Sequence, residues 1–545
     1  MSLSEEILID GLKFKFYVIA NGEVYGVVDP LIERRDNRVE IRSTALSFFR
    51  RTISGNFHAI FDINEKGELS WRINVNGLEK VYGIRFTISN LPVGKVILPL
   101  PGGYQAVLQP DETIFASTEH ILSYYPGVKP AIWTAPFLVL EYENRSLYIG
   151  CKECSPRPKR VWVLRKGDYL MLSLCSLENA FKMSSSYISP TWFMKEISSW
   201  KEAVEDYRTF VENELGVVPF EKRKDVPDWA KKISLYVVAY LHNYTPFINF
   251  TFDEFKNKLI ELAEKFPAEH TLVYIAGWDG RPDMTYPRYE PSEELGGKEK
   301  FKEMIDQAHK LGFKIMLHFN LFSICYNMPE WSMFKDHQIR DIEGRLLGWD
   351  ADHNTDGIND NLMGYIALDY EPWRRLLLEK ISYIVKTYNI DAIHLDQSAV
   401  EFNDPRHDTY LGKKLLIEEL KKRFPNLLIE GEGINILTLS LTPFVHTWIH
   451  DPNAIHPIYK ELFNRYVKHV GHMDMPTFGF ERNFWIIQKA YDELEVIPSL
   501  PLNIPYPSMV GGIAPEEYAK YDLESDKARH IFEKARKYLQ TLQQK

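Results

Sequence analysis

The order of apolar and polar positions divides the chain into two parts. Residues 1–218 contain short apolar segments that alternate with a period of two, as at 69–75 and 82–88. Such alternation is typical of half-buried β-strands, and the Asn76-Gly77 pair between these two segments is a strong hairpin signal. Repetition of short strands and turns predicts a large antiparallel β-sandwich.

The second part begins at residue 230, where apolar strand segments start to alternate with helical segments. This alternation requires helical crossovers and therefore a parallel sheet. Eight repeats indicate a TIM (β/α)8 barrel rather than an open sheet. The predicted strands are 235–241, 272–277, 314–320, 392–396, 427–432, 445–450, 472–477 and 496–500.

The predicted fold class is therefore α/β, with a barrel preceded by a sandwich. We assign residues 1–218 to the N-terminal β-sandwich and residues 230–545 to the catalytic barrel. The charged segment at 219–229, which is bounded by prolines, is the predicted linker.

Composition narrows the classes of function and partner. The net charge of −10 argues against nucleic acid as a partner, because phosphate contacts need a basic surface. No apolar stretch approaches the length of about 20 residues that spans a membrane. The start, Met1 to Glu6, lacks the basic and apolar runs of a signal peptide, and the chain has only four cysteines. We expect a cytoplasmic protein, or a secreted one if a native leader has been removed, of unknown oligomeric state.

The strongest candidate for catalysis is Asp396, which ends the apolar run of the fourth barrel strand. Barrel enzymes place their chemistry at the carboxyl ends of the strands. The next strand also ends in acids, Glu430 and Glu432, which share one face. Two carboxylates on adjacent strand tips suit glycoside hydrolysis. We favour Glu432 as the partner acid because it lies at the strand end, with Glu430 and Asp451, just past strand six, as alternatives.

The loop after the second strand is the first candidate for substrate binding. It contains Trp278, Asp279 and Asp283 among further aromatic and charged residues. Aspartates bind vicinal hydroxyls, and an indole stacks on the apolar face of a sugar ring. The alternative is a solvated loop that packs on its own aromatic residues.

Four further side chains are candidates for holding a sugar. His318 and Asn320 share a face at the end of strand three, and both suit hydrogen bonds to hydroxyls. His394 and Gln397 flank Asp396. For His318 the alternative is a core histidine with satisfied hydrogen bonds.

The segment 352–360 copies the opening of a calcium-binding loop. Its candidate ligands are Asp352, Asn354, Asp356 and Asp360, but Met363 stands where the bidentate glutamate belongs. The alternative is a polar loop that acts as a lid. We expect no required cofactor and treat structural calcium as an open alternative.

Short motifs in both parts resemble a known set of glycoside hydrolases. They are Gly277-Trp278-Asp279, Tyr286-Pro287, His394-Leu395-Asp396-Gln397, Glu432-Gly433 and, in the N-terminal part, Trp71-Arg72-Ile73. Together they resemble endo-α-N-acetylgalactosaminidase-like enzymes and their uncharacterised relatives within the wider α-amylase-like set. We expect no counterpart in residues 1–545 of the β domain that usually follows the barrel in that group.

The resemblance implies a retaining glycoside hydrolase that acts on an α-linked oligosaccharide or glycoside, with Asp396 as nucleophile and Glu432 as acid/base. One alternative is a carbohydrate-binding barrel that has lost catalysis. The other is a metal-dependent hydrolase with His318, His394 and Asp396 as ligands.

Overall fold

An antiparallel β region forms the N-terminal part of the protein. The computed structural model describes residues 4–49, 51–119, 131–244, 246–351, 360–471, 480–502 and 522–544. The strands of this region are β1 Ile7–Ile9, β2 Leu12–Ala20, β3 Glu23–Val28, β4 Leu31–Arg35, β5 Arg38–Phe48, β6 Arg51–Ile63, β7 Leu69–Pro92, β8 Lys95–Leu98, β9 Tyr104–Ala106, β10 Thr113–Ser117, β11 Ala131–Ile132, β12 Phe137–Glu141, β13 Ser146–Cys151, β14 Lys159–Lys166, β15 Tyr169–Leu177, β16 Ser184–Ile188 and β17 Trp192–Ile197. Helix α1, Trp200–Glu214, follows them.

Hydrogen bonds link these strands into one 17-stranded system. All pairs are antiparallel except β10 with β11, so the predicted antiparallel architecture is confirmed. The division into two packed sheets stays a prediction. The hairpin predicted at Asn76-Gly77 is wrong, because β7 continues through it to Pro92. Gly77, at φ 83°, instead lies where the pairing of β7 with β16 is irregular.

The C-terminal part is a nearly closed parallel barrel. Its elements, in chain order, are β18 Leu235–Tyr240, α2 Phe252–Lys265, β19 Thr271–Ala276, α3 Gly297–Leu311, β20 Lys314–Asn320, β21 Ser323–Cys325, α4 Trp331–Phe334, β22 Asp350–Ala351, β23 Asp360–Asn361, β24 Met363–Tyr365, α5 Glu371–Tyr388, β25 Ala392–Asp396, α6 Thr409–Arg423, β26 Leu428–Glu432, β27 Phe444–Thr447, α7 Ile458–Phe463, β28 Lys468–Gly471, α8 Phe480–Leu494, β29 Ser499–Pro501 and α9 Asp526–Gln544.

Eight of these strands form the barrel wall in the order β28-β27-β26-β25-β20-β19-β18-β29. A single parallel bridge between Val470 and Ile497 brings β28 next to the segment that leads into β29. Strands β18 and β19 are buried along their whole length, as expected of parallel strands covered on both faces. The short strands β21 to β24 all lie in the long connection between β20 and α5.

Local signals explain several boundaries. Thr251 and Glu254 form a reciprocal capping box at the start of α2. Helix α3 ends at Gly312, whose left-handed φ of 107° suits a residue without a Cβ atom.

Strand seven was predicted wrongly. The seventh barrel strand is β28, Lys468–Gly471, whereas the predicted strand at 472–477 lies outside the described residues. In the structure α7 ends at Phe463, because Val470 and its neighbours pair with β27.

The N-terminal region packs against loops at the carboxyl end of the barrel strands. The backbone N–H of Ile436, in the loop after β26, donates to Thr134 O at 3.0 Å. The N–H of His450, after β27, donates to Pro101 O at 2.8 Å. Helix α1 contributes Tyr207 to a hydrophobic core that continues from the β region into the barrel. Among the described helices, none has the length and apolar character needed to cross a membrane.

Candidate active site

Asp396 and Glu432 meet at the carboxyl ends of two adjacent strands. The parallel register of β25 and β26 pairs Leu395 with Gly431, so the next residues of the two strands lie side by side. Their side chains are close enough for Glu432 to help lower the pKa of Asp396. Gly431 has no room for a side chain, because a Cβ atom there would lie 2.4 Å from Ser398 Oγ. The structure therefore brings together the two acids that the sequence predicted as a pair.

Asn320, at the end of β20, orients the carboxylate of Asp396. Its Nδ2 donates to Asp396 Oδ2 at 2.5 Å. Its Oδ1 accepts the backbone N–H groups of Phe322 and Ser323 at 2.9 and 2.8 Å, which fixes the amide. Asn320 is 3% exposed, so this geometry is held within the protein.

The surroundings of Asp396 stabilise its ionised form. Burial alone would raise the pKa of Asp396. The neighbouring Glu432, the positive charge that a protonated His318 or His394 brings, and the hydrogen bond from Asn320 together lower the pKa below its usual value. Asp396 remains partly exposed. The strand tip therefore presents a carboxylate to the mouth of the barrel.

Gln397 connects the two strand ends. Its backbone N–H donates to Glu432 Oε2 at 2.7 Å, and its Nε2 donates to the hydroxyl of Tyr365 at 2.6 Å. Gln397 has a φ of 63°, which is unusual for a residue with a long side chain. Backbone strain of this kind concentrates at functional sites. Here it turns the N–H next to Asp396 toward Glu432.

Glu430 occupies a different position from Glu432, although both share a face of β26. It is 0% exposed, and its Oε2 lies 2.8 Å from His394 Nδ1. Its Oε1 lies 3.4 Å from His446 Nε2, which in turn lies 2.6 Å from the Tyr236 hydroxyl. The alternative prediction of Glu430 as the catalytic acid is therefore corrected. Its side chain lies inside the barrel, beneath the mouth.

Asp451, the other alternative acid, lies beside the N-terminal region. Its Oδ1 accepts the backbone N–H of Asn453 at 2.9 Å, which caps a local turn. The pKa of Tyr104 in β9 is raised mainly by burial, and the charge of Asp451 adds to this effect. These contacts give Asp451 a turn-capping role at the interface of the two parts.

The indole of Trp278 is in the core, so the prediction that it stacks on a sugar is wrong. It is 0% exposed, packs on Phe301 at a ring separation of 5.6 Å, and donates to His318 O at 3.2 Å. Asp279 and Asp283 are 4% and 5% exposed, so they add little to the surface of the mouth. Burial raises the pKa of Asp279 to about 7 against the opposing charge of Arg288. Sugar binding by the two aspartates stays a prediction.

His318 is held by two tyrosines. Its Nδ1 lies 2.9 Å from the Tyr274 hydroxyl and its Nε2 lies 3.0 Å from the Tyr286 hydroxyl. Both ring nitrogens are therefore engaged. The metal-dependent alternative, in which His318, His394 and Asp396 would bind an ion, is not supported by this geometry.

Within the described residues, His394, Glu430 and His446 form a group whose ligand atoms all lie within 4.8 Å of one another. Ligands of a tetrahedral zinc ion at about 2.0–2.2 Å lie about 3.3 Å apart. The 2.8 Å separation of His394 Nδ1 and Glu430 Oε2 is instead that of a hydrogen bond. The group fits a hydrogen-bonded pair of His394 and Glu430, with His446 at ion-pair distance, better than a metal centre.

The predicted calcium ligands Asp352, Asn354 and Asp356 lie outside the described residues. Asp360 begins β23, which pairs with β22. Burial lowers the pKa of Arg281 in the loop after β19, and the charge of Asp360 opposes this effect without overcoming it.

Sequence reasoning missed four polar side chains that complete the site. They are Tyr236, Tyr274, Tyr365 and His446. The hydroxyl of Tyr365 accepts a hydrogen bond from Gln397 next to Asp396, and the hydroxyl of Tyr274 lies 2.9 Å from His318 Nδ1. The hydroxyl of Tyr236 lies 2.6 Å from His446 Nε2, which is 3.4 Å from Glu430 Oε1. Each lies in an apolar run and resembles an ordinary core residue. The one signal for them was that polar atoms recur at inward positions of successive strands.

Comparisons with known proteins agree with this architecture. Residues 191–415 match a family model described as a domain of unknown function, DUF6259. Malto-oligosyltrehalose trehalohydrolase from Saccharolobus solfataricus is 25% identical over 177 residues, which are 31% of this chain and 29% of that protein. The chain thus matches less than a third of the length of this curated relative.

Similar solved structures extend over nearly the whole chain. The α-N-acetylgalactosaminidase NagBb from Bifidobacterium bifidum has a TM-score of 0.66 at 13% identity, covering 98% of this chain and 93% of that one. The α-galactosidase AgaA from Geobacillus stearothermophilus has a TM-score of 0.52 at 12% identity, covering 98% and 74%. The protein therefore has the fold of these barrel glycoside hydrolases, and the predicted resemblance to that class is confirmed for the fold.

Proposed function

We propose that the protein is a retaining glycoside hydrolase that acts on an α-linked sugar. The observation that carries this proposal is the carboxyl pair of Asp396 and Glu432 on adjacent strand tips, where Glu432 helps to lower the pKa of Asp396. Retaining enzymes hold their two carboxyl groups about 5–5.5 Å apart, whereas inverting enzymes leave about 6.5–9.5 Å for a water molecule. Two acids on adjacent strand tips, close enough for one to act on the pKa of the other, favour the shorter spacing of the retaining enzymes.

In the proposed reaction Asp396 is the nucleophile. Its ionised carboxylate attacks the anomeric carbon and forms an ester bond, while Glu432 gives its proton to the departing glycosidic oxygen. Glu432, now a carboxylate, then takes a proton from water, whose oxygen attacks the same carbon and releases Asp396. The lowered pKa of Asp396, to which Glu432 contributes, supports this division of roles, because it favours Asp396 as the ionised member of the pair.

The similar structures suggest the first substrates to try. NagBb is described as an α-N-acetylgalactosaminidase, including a complex with GalNAc, and AgaA as an α-galactosidase. We propose a galactose-configured α-glycoside, with or without a 2-acetamido group. The partly exposed side chain of Gln397 at the mouth is a proposed contact to its hydroxyls.

The test is turnover of p-nitrophenyl α-glycosides of galactose, N-acetylgalactosamine and glucose, with NMR of the first anomer released. We expect release of the α-anomer from one of the galactose-configured substrates. Asp396→Asn should abolish turnover while sugar binding remains. The matched control is Asp391→Asn at the other end of β25, where the carboxylate binds His309 and Lys314 and should not affect turnover.

Three results would contradict the proposal. Release of the β-anomer would indicate inversion, and substantial activity in Asp396→Asn would remove the nucleophile. Sugar binding by the wild type without any turnover would favour a carbohydrate-binding barrel.

A further inference from the structure

A buried chain of polar side chains crosses the barrel directly beneath the carboxyl pair. It runs from His394 through Glu430 and His446 to Tyr236, with contacts of 2.8, 3.4 and 2.6 Å. These four residues come from four strands and are at most 1% exposed. The mechanism proposed above gives none of the members of this chain a role beyond sugar contact.

Charge neutrality constrains this chain. A carboxylate as deeply buried as Glu430 needs a paired positive charge, since an isolated buried charge is very costly. His394 is the basic group in closest contact with it. His394 is also two residues before Asp396 on the same face of β25, about 7 Å along the strand. The imidazole therefore lies between two carboxylates, which favours its protonated form.

We propose that Glu430 is a positioning residue that accepts the Nδ1 proton of His394 and holds its ring as a cation beneath Asp396, so that the nucleophile stays ionised. This inference rests on the proposed function, because it assigns Asp396 as the nucleophile. It gives Glu430 a role in the reaction without contact with the substrate.

His394 is a better carrier of the charge than the two neighbouring histidines. The ring centroids of His318 and His446 lie 5.3 and 4.5 Å from that of His394, so two cations there would repel. His318 is bonded to tyrosine hydroxyls at both nitrogens, and His446 Nε2 lies closer to Tyr236 than to Glu430.

Other groups that act on these two side chains also contribute to any pH profile. Asp396 is also faced by Glu432, Asn320, His318, Tyr286, Tyr289 and Tyr365. The ring of His394 also faces Tyr274 at 5.1 Å. Substitution of Glu430 leaves all of these groups in place.

The first experiment is the pH profile of kcat/KM for Glu430→Gln, which preserves shape but removes the charge. A neutral His394 removes a positive charge about 7 Å from Asp396, and the lost negative charge of Glu430, which lies one strand farther away, offsets most of that effect; at an effective dielectric constant of about 20 the net shift is a fraction of a pH unit. We expect the acid limb to move upward by that amount, with kcat above the limb nearly unchanged. The matched control is Glu401→Gln, which removes another buried, ion-paired glutamate and should lower Tm without moving the limb.

The second experiment does not depend on turnover. Ring-15N NMR of histidine-labelled protein, assigned with His394→Phe, should show a cationic His394 at pH 7 that becomes neutral in Glu430→Gln. A neutral His394 in an active wild type, or an unmoved acid limb in Glu430→Gln, would overturn this inference alone. An inactive wild type would instead overturn the proposed function. Stoichiometric zinc in the purified protein would also overturn the inference, since the same side chains would then be ligands.

Discussion

Asn320 offers the sharpest test of how the nucleophile is kept ionised. Asn320→Ala removes the Nδ2 donor that lies 2.5 Å from Asp396 Oδ2. It also removes an Oδ1 that accepts two backbone N–H groups. Asn435 provides a matched control because its side chain makes the same set of bonds to a different partner. Its Oδ1 accepts the N–H groups of Leu437 and Thr438, and its Nδ2 donates to the carbonyl of Ala399 at 2.8 Å.

The expected magnitude follows from this comparison. A hydrogen bond to a charged group contributes about 1.5–3 kcal/mol, which corresponds to a pKa change of about one to two units. Since the lost bond favoured the carboxylate, the pKa of Asp396 should rise. Both variants leave two backbone N–H groups without their side-chain acceptor, so both should lose stability by similar amounts. The substitution at Asn320 alone should change catalysis.

The assay is kcat/KM against pH for the wild type, Asn320→Ala and Asn435→Ala, with Tm measured on the same samples. The acid limb of kcat/KM reports the essential base of the free enzyme. We expect that limb to move upward in Asn320→Ala, with a roughly 10- to 100-fold loss of kcat/KM below it. Equal profiles in the two variants would refute the reasoning, because the donor to Asp396 would then have no special effect.

Two further predictions concern buried charges away from the nucleophile. Asp279 has its pKa raised to about 7 by burial, so the folded protein holds a proton that the unfolded chain releases near pH 4. Stability from this group is full below pH 4 and is lost as pH rises through 7, so Asp279→Asn should gain Tm relative to the wild type between pH 5 and 8; parallel curves would contradict this. Lys413 Nζ and Glu401 Oε1 form an ion pair at 2.5 Å, with side chains 0% and 7% exposed. Lys413→Met should lower the free energy of unfolding, measured with urea, by about 3–5 kcal/mol. The double variant Lys413→Met with Glu401→Leu should recover most of that loss. An equally unstable double variant would show that the unpaired charge is not the cause.

The sequence alone was sufficient for the barrel and for the tips of its catalytic strands. Apolar runs of strand length that end in acids, separated by helical segments, are local patterns, and barrel enzymes use the carboxyl ends of strands. Asp396 and Glu432 were therefore predicted as neighbours, and the structure places them together. Errors occurred where a local signal was overruled by pairing, as at Asn76-Gly77, where β7 continues because other strands hydrogen-bond to it on both sides.

Only the tertiary structure decided which groups face the mouth and which lie beneath it. Alternation puts Glu430 and Glu432 on one face, but their depth depends on the strands and loops around them, and only Glu430 is enclosed by His394 and His446. Trp278 resembled a sugar-binding residue in the sequence, yet Phe301 from the following helix covers it. The periodicity of apolar residues indicates which face of a strand or helix a side chain lies on. Burial and hydrogen-bond partners depend on residues distant in the chain, so no local pattern reveals them.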